Sequence, residues 1–533
     1  MLSSQVQLRS GTLVKRHIAA LSSTVRTKPA AGHHVFTSIR TNSTTASQKN
    51  LPFTPIRQFR SNAPGQAAVT TFPRFDEHAM PRPEQPAELE GYDQSLGFSQ
   101  VPGQQAYHDI NRPAYWQSVP RWKDISHYEF CTQKFQVRFT IPTIEKLEQF
   151  LDEVLPPVIP EYPGFEGVGT REAFIKDVRQ GIEEAPMMIR LTPHVLSIID
   201  WNDPIADPIR RQFIPMKSSM LPDHPKLELD SLHEHDDSPV DGLVHRYPTK
   251  ALFLATTVCP LYCRFCTRSW SVGPDTKTVS KNTIKPSRGR WEQVFQYIES
   301  TPKLADIVIS GGDCYMLTPD NLRLIGERLL STPHIKRLRF ATKGLAISPS
   351  RIIDENDPWT DEIIRLNTMA KELGKSIAIH THFNHPKEIT WVTELALQKL
   401  HRNSVTVRNQ SVLLRGVNDN FETMSELIRK VADNNVIPYY VYQADMVRGV
   451  EDLRTPLSTI IDLERRIRGT IGGMVTPTFV VDLPAGGGKR LACSFDTYDR
   501  KTGRSTFTAP SITGGDKENK VYEYWDPLHS LPE

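Results

Sequence analysis

Between residues 246 and 442 short apolar runs alternate with longer amphipathic stretches, and this rhythm limits the fold more than any other feature of the chain. The runs at 251–256, 306–310, 337–341, 376–380, 404–408 and 437–442 have the length of strands. The stretches at 291–299, 321–330, 362–373, 389–400 and 422–433 place apolar residues at helical spacing. Strands separated by helices pair in parallel through crossovers, with the helices packed over the sheet. Six such repeats predict an α/β fold, a partial (β/α)6 barrel over residues 246–490. Functional side chains are then expected where strands end and loops begin.

Three motifs stand at such places. Immediately after the first run comes Thr257-Val-Cys-Pro-Leu-Tyr-Cys-Arg-Phe-Cys-Thr-Arg-Ser269, with Cys259, Cys263 and Cys266 spaced C-x3-C-x2-C. Thiolates bind soft and borderline metals. A closed zinc site needs a fourth protein ligand, and no further Cys or His lies within ten residues of the triplet. Three thiolates suit an iron–sulfur cluster with one iron left open, while a structural metal knot or three buried thiols remain the simpler readings. Ser310-Gly-Gly-Asp313 closes the second run: Gly311 and Gly312 allow close backbone approach to a ligand, and Asp313 can hold an ammonium. A tight turn would look the same. The third motif is Val480-Val-Asp-Leu-Pro-Ala-Gly-Gly-Gly-Lys489. No Ser or Thr follows Lys489, so a phosphate loop fits poorly. A sheltered lysine can instead form a Schiff base with pyridoxal phosphate, and a surface lysine on a turn is the plain alternative.

Charge is unevenly distributed. Residues 1–75 contain ten Lys or Arg and no acid before Asp76, which leaves 54 basic and 61 acidic side chains in residues 76–533, a net of −7. The body therefore offers no electrostatic case for nucleic-acid binding. The acid-free, Ser/Thr/Arg-rich start reads as a mitochondrial transit peptide or disordered leader over 1–61, and a disordered basic tail is the alternative. Residues 62–115, rich in Pro, Gly and Gln, read as a linker arm. Helical patterns at 142–151, 171–184 and 191–200 suggest a helical N-terminal domain over 116–245, and 491–533 is expected to be a C-terminal tail. Six cysteines in 533 residues do not make a disulfide framework, and Cys131, Cys314 and Cys493 are isolated. With no run of about 18 apolar residues, no membrane association is expected.

The cysteine triplet one strand before a glycine-rich turn resembles the radical S-adenosylmethionine enzymes. Longer motifs sharpen this. Asp237-Ser-Pro-Val-Asp-Gly-Leu-Val-His-Arg-Tyr-Pro248, Thr381-His-Phe-Asn-His-Pro386, Asn409-Gln-Ser-Val-Leu-Leu-Arg-Gly-Val-Asn-Asp419 and Pro438-Tyr-Tyr-Val-Tyr-Gln-Ala-Asp445 occur in order. From about residue 186 to 489 the chain is similar to the lysine 2,3-aminomutase family. That resemblance implies three cofactors: a [4Fe-4S] cluster, S-adenosyl-L-methionine and pyridoxal 5'-phosphate. Cys259, Cys263 and Cys266 would ligate the cluster. Lys489 would carry pyridoxal phosphate, with Arg246 and Tyr247 helping to seat it. Ser310, Gly311, Gly312, Asp313, His382 and Gln410 would line the S-adenosylmethionine site. Arg268 would grip the substrate carboxylate with its planar fork, and Asp445 and Asp482 would pair with a distal ammonium.

The implied reaction is a radical shift of the amine of L-lysine from C2 to C3, an isomerisation to β-lysine that returns S-adenosylmethionine unchanged. Two carboxylates in a closed pocket repel unless a cation lies between them, which favours a diamino acid over glutamate. The same chemistry on another basic amino acid, or on lysine destined for attachment to a protein, is the alternative. A metal-binding scaffold that has lost the reaction is a third reading, opposed by the joint presence of the thiols, Lys489 and the acidic pair. The implied partners are L-lysine and an electron donor to the cluster, and a homo-oligomer is compatible with the resemblance. The chain departs from the family pattern in having Arg268-Ser-Trp270 after the cluster motif and Lys250 where Arg is typical. It also has a charged insertion, Asp354-Glu-Asn-Asp-Pro-Trp359, and no cysteine beyond Cys493 to make a C-terminal zinc site.

Overall fold

The computed structural model describes residues 112–284, 287–510, 517 and 519–532. The expected leader and all of the expected linker before residue 112 lie outside the described residues. Residues 112–115 are already attached: the Trp391 indole N–H donates to the Pro113 carbonyl at 3.0 Å, and the Tyr115 hydroxyl meets His194 Nδ1 at 2.9 Å.

Two of the three expected N-terminal helices form with little change. Thr143 caps Ile144–Val154 and Thr170 caps Arg171–Glu184, each side chain accepting the third backbone N–H of its helix. Leu147, Phe150 and Leu151 make the buried stripe of the first. The third shrinks to Pro193–Ile198, with Pro193 at its first position and Ile199 already extended.

Nine strands form one sheet in chain order: β1 Leu243–Tyr247, β2 Lys250–Thr256, β3 Asp306–Gly311, β4 Arg337–Ala341, β5 Ser376–Thr381, β6 Thr406–Val412, β7 Val436–Tyr442, β8 Thr478–Leu483 and β9 Gly488–Leu491. All six expected strands are present as β2–β7. The sixfold reading is one parallel strand short, because β8 also pairs in parallel with β7. β1 and β9 then turn back antiparallel onto β2 and β8. Among the described residues β1 and β9 do not pair with each other, so the barrel is nearly closed. Across that gap the Tyr247 hydroxyl accepts from the backbone N–H of Lys489 at 3.2 Å.

Helices Arg288–Glu299, Pro319–Ser331, Trp359–Glu372, Trp391–Arg402, Phe421–Asp433 and Leu457–Arg468 are spaced between the parallel strands. The expected tail is a structured element: β10 Thr497–Asp499, β11 Arg504–Thr508 and β12 Val521–Trp525 form an antiparallel sheet. It is bound to the barrel through the Tyr524 hydroxyl, which donates to the Ala444 carbonyl and accepts from Gln443 Nε2, both at 3.0 Å. The Leu457 N–H also donates to Asp526 at 2.7 Å. The described residues belong to one compact unit, Gly91–Glu533, and positions 245 and 490 fall inside β1 and β9 within it. Among the described residues no helix is long and apolar enough to cross a membrane.

Candidate active site

A cavity of about 380 Å³ runs from the barrel interior, at Leu252, Val308 and Arg339, to the loops that follow the strands. All fifteen residues singled out from the sequence line it. Residues up to 243 positions apart therefore meet only through the parallel topology.

One pole of the cavity holds the thiols. The loop carrying them is fastened to the glycine turn of β3: the Gly312 N–H donates to the Thr256 carbonyl at 2.5 Å and the Asp313 N–H to the Val258 carbonyl at 3.0 Å. Gly311 has φ +117°, and a Cβ on Gly312 would stand 2.5 Å from the Val258 carbonyl oxygen. The glycines are thus required by close packing of two backbones. Asp313 has a structural task that was not expected. Its carboxylate, which also lines the cavity, accepts the N–H groups of Tyr315 and Lys343, each at 2.8 Å, and so braces the loops after β3 and β4. Burial pushes all three cluster-motif thiols up, Cys263 to about 12, and Cys259 and Cys263 are raised further by neighbouring thiols of the motif. Arg268 pulls Cys259 and Cys266 back toward ionisation. Among the described residues no three His, Cys, Asp or Glu side chains converge as ligands to a single ion. A cluster places each thiolate on a different iron, so its ligands need not converge that closely.

Lys489 lines the same cavity. β9 lies antiparallel to β8 with Lys489 directly across from Asp482, and the two side chains form an ion pair. The turn between the strands needs its glycines: Gly486 and Gly488 have φ +76° and +82°. A Cβ on Gly487 would lie 2.7 Å from both Leu483 and Tyr522. Burial opposes the Lys489 ammonium most strongly, but Asp482 together with Tyr442 and Tyr247 outweighs it and holds the pKa well above the ordinary lysine value. Burial likewise works to raise Asp482, and Lys489 followed by Arg246 holds it below the usual carboxylate range. Asp445, which forms no ion pair among the described residues, is pushed up to about 8, first by burial and then by the charge of Asp482, while Lys489 and Arg268 act in the other direction. One oxygen of each aspartate is buried without a hydrogen-bond partner.

The arginines stand where expected but carry partners the sequence did not predict. Arg268 is held bidentately by Glu234, and Arg246 by Asp237, with Nε to Oδ2 at 2.6 Å. Lys517, from the segment before β12, reaches the other Asp237 oxygen at 2.6 Å. Gln410 accepts from the Tyr442 hydroxyl at 2.9 Å, and His382 Nε2 and Thr381 Oγ1 are buried without partners.

Comparison with known proteins places this geometry. No protein-family model matches the chain. An L-lysine 2,3-aminomutase of Clostridium subterminale is 38% identical over 370 residues, covering 69% of this chain and 79% of that protein. The Bacillus subtilis L-lysine 2,3-aminomutase is 32% identical over 377 residues, 70% of this chain and 71% of that protein. The chain belongs to the lysine 2,3-aminomutase family. It is an isomerase of the 2,3-aminomutase class. A glutamate 2,3-aminomutase of Clostridioides difficile is also similar, at 32% identity over 316 residues. The family therefore contains more than one substrate specificity.

Aminomutases of this family use a [4Fe-4S] cluster, S-adenosylmethionine and pyridoxal phosphate. The residues present fit that set. Three partly buried thiols line one wall, and the unpartnered His382 and Thr381 atoms give polar contacts for a nucleoside-bearing ligand. The half-buried Lys489 lines the cavity with Arg246, Lys250 and Tyr247, two cations that suit a phosphate and an aromatic side chain beside them. The Lys250 ammonium lies 4.2 Å over the Tyr247 ring, and burial followed by the nearby Lys489 lowers its pKa to about 8.

Proposed function

We propose that this chain interconverts L-lysine and β-lysine by moving the amino group between C2 and C3. The supporting observation is the acidic pair Asp445 and Asp482, each with an unpartnered buried oxygen, facing the same cavity as Lys489 and the thiols. A distal ammonium there gives Asp445 an ion-pair partner, whereas a third carboxylate would add to the repulsion that already raises it. This argues for a basic amino acid over glutamate.

When bound, S-adenosylmethionine at the cluster supplies a radical that takes hydrogen from the substrate, and pyridoxal phosphate carries the migrating nitrogen. The chain's own residues do the rest. Cys259, Cys263 and Cys266 would hold the cluster, Lys489 would hold pyridoxal phosphate, and Arg268 would receive the substrate carboxylate. The surrounding wall of Tyr440, Tyr442 and Leu232 narrows the access of water to the reacting carbons. Another basic amino acid, or lysine destined for attachment to a protein, satisfies the same acidic pair.

The test is anaerobic incubation of reconstituted protein with L-lysine, S-adenosylmethionine, pyridoxal phosphate and a reductant, assayed for β-lysine. Turnover of glutamate with none of lysine overturns the proposal. The acid-free leader supports import into mitochondria, with removal of part of residues 1–61.

A further inference from the structure

Glu234 precedes β1 on the segment that connects the helical region to the barrel. It is 5% exposed and lines the cavity. Its place is fixed on both sides: its N–H donates to Asp230 Oδ1 at 3.0 Å, and its carbonyl accepts from Ser238 Oγ at 2.8 Å. The preceding residue, His233, holds the left-handed backbone at φ 48°, and its ring is bonded to Glu228 at 2.9 Å. A non-glycine residue persists in that conformation only where its surroundings enforce it.

The Glu234 carboxylate meets Arg268 side-on. Oε2 accepts from Nε and Oε1 from Nη2, both at 2.7 Å. A guanidinium presents two edges for bidentate pairing, and this contact occupies only the one nearer its own chain. Nη1 makes no hydrogen bond among the described residues, which leaves the Nη1–Nη2 edge available to a ligand in the cavity.

We propose that Glu234 is the positioning residue that fixes the plane of Arg268, so that the free edge of its guanidinium receives the α-carboxylate of the substrate. Glu234 acts through Arg268 and does not itself touch the substrate. The inference rests on the amino-acid substrate proposed above. Selectivity follows from the geometry: an amine without the carboxylate gains nothing from the aligned fork.

Glu234→Gln tests this, because the amide keeps the shape while turning an N–H donor toward a donor. In the reconstituted holoenzyme KM for L-lysine should rise about tenfold or more, the scale of losing a charge-assisted hydrogen bond, with kcat within about threefold and Glu234→Asp recovering part of the loss. Equilibrium dialysis gives a second readout: Glu234→Gln should weaken binding of L-lysine and leave its decarboxylated analogue 1,5-diaminopentane unchanged. A fall in KM would mean that Glu234 competes with the substrate for Arg268 and overturns the proposal. Equal weakening of both ligands, together with a lower Tm, would mean a purely structural role and overturns it too. If the wild type binds L-lysine but forms no β-lysine, the proposed reaction fails while the dialysis comparison still decides the role of Glu234.

Discussion

Binding of a distal ammonium should release a proton near neutral pH. Asp445 is pushed up to about 8 by burial and by the charge of Asp482, so at pH 7 about 0.9 of it is protonated. A cation within salt-bridge reach lowers such a carboxyl by about 1–3 units. Bound lysine would therefore leave Asp445 titrating between about 5 and 7, and about 0.4–0.9 proton would leave at pH 7. Because the bound form holds fewer protons, affinity should rise with pH between about 6 and 8, by at most about tenfold per unit. Calorimetric titration of L-lysine in two buffers of different ionisation enthalpy counts the proton. L-norleucine, which has the same carboxylate and α-amine but no distal ammonium, should release none. Burial drives His380 down to about 3 and His382 well below its ordinary value, so neither contributes. Lys250 also titrates at about 8, and for that reason Asp445→Asn is the deciding control. An undiminished proton release in Asp445→Asn, or none in the wild type, would refute the reasoning.

Three other outcomes are expected. Lys489→Ala should lose borohydride-trappable pyridoxal phosphate while retaining the iron content of the wild type. It should also lose about 3–5 kcal/mol of stability at pH 8, since Asp482 keeps its charge without its partner. The sign follows from linkage: Asp482, held low in the wild type, is raised in the variant, so the deficit grows as pH rises above about 4 and shrinks on acidification, which denaturant titrations across that range would read. Gly312→Ala should reduce iron loading after anaerobic reconstitution, because its Cβ must displace the Val258 backbone beside Cys259; full loading would contradict the packing argument. Tyr524→Phe should lower stability by about 1–3 kcal/mol through two lost hydrogen bonds, one to the carbonyl beside Asp445, and a Tm unchanged from wild type would count against the tail as a structural part of the barrel.

The parallel barrel was legible because short apolar or alternating runs recur between longer amphipathic stretches, as in the buried β2 and β3 and the alternating β6. The six expected runs correspond to β2–β7 within one or two residues at most ends. β8 was missed for a local reason: Thr478–Leu483 merges directly into the glycine run, so the strand was absorbed into the lysine motif. β1 and β9 were missed because short antiparallel edges of five and four residues carry little periodic signal. The tail was misread because its strands are three to five residues long and alternate charged with aromatic residues, as in Val521-Tyr-Glu-Tyr-Trp525.

The candidate site shows a sharper division. Residues whose chemistry depends on their own type could be read directly: thiols, a lysine after glycines and an acidic pair all line the cavity. Residues that act by holding another residue left no comparable trace. Glu234 is bonded to Arg268 and Asp237 to Arg246, and neither pairing is announced by the charged stretch Asp230-Ser-Leu-His-Glu-His-Asp-Asp237 in which they sit. The backbone N–H groups that donate to Asp313 are equally silent, because partners brought together by topology carry no mark in local sequence. A buried carboxylate beside a binding arginine is a strong constraint all the same, since an unpaired charge there would be costly. On the role proposed for Glu234, the segment before β1 bears on carboxylate recognition: exchanging it for the corresponding stretch of a glutamate 2,3-aminomutase should alter that recognition while leaving cluster assembly intact.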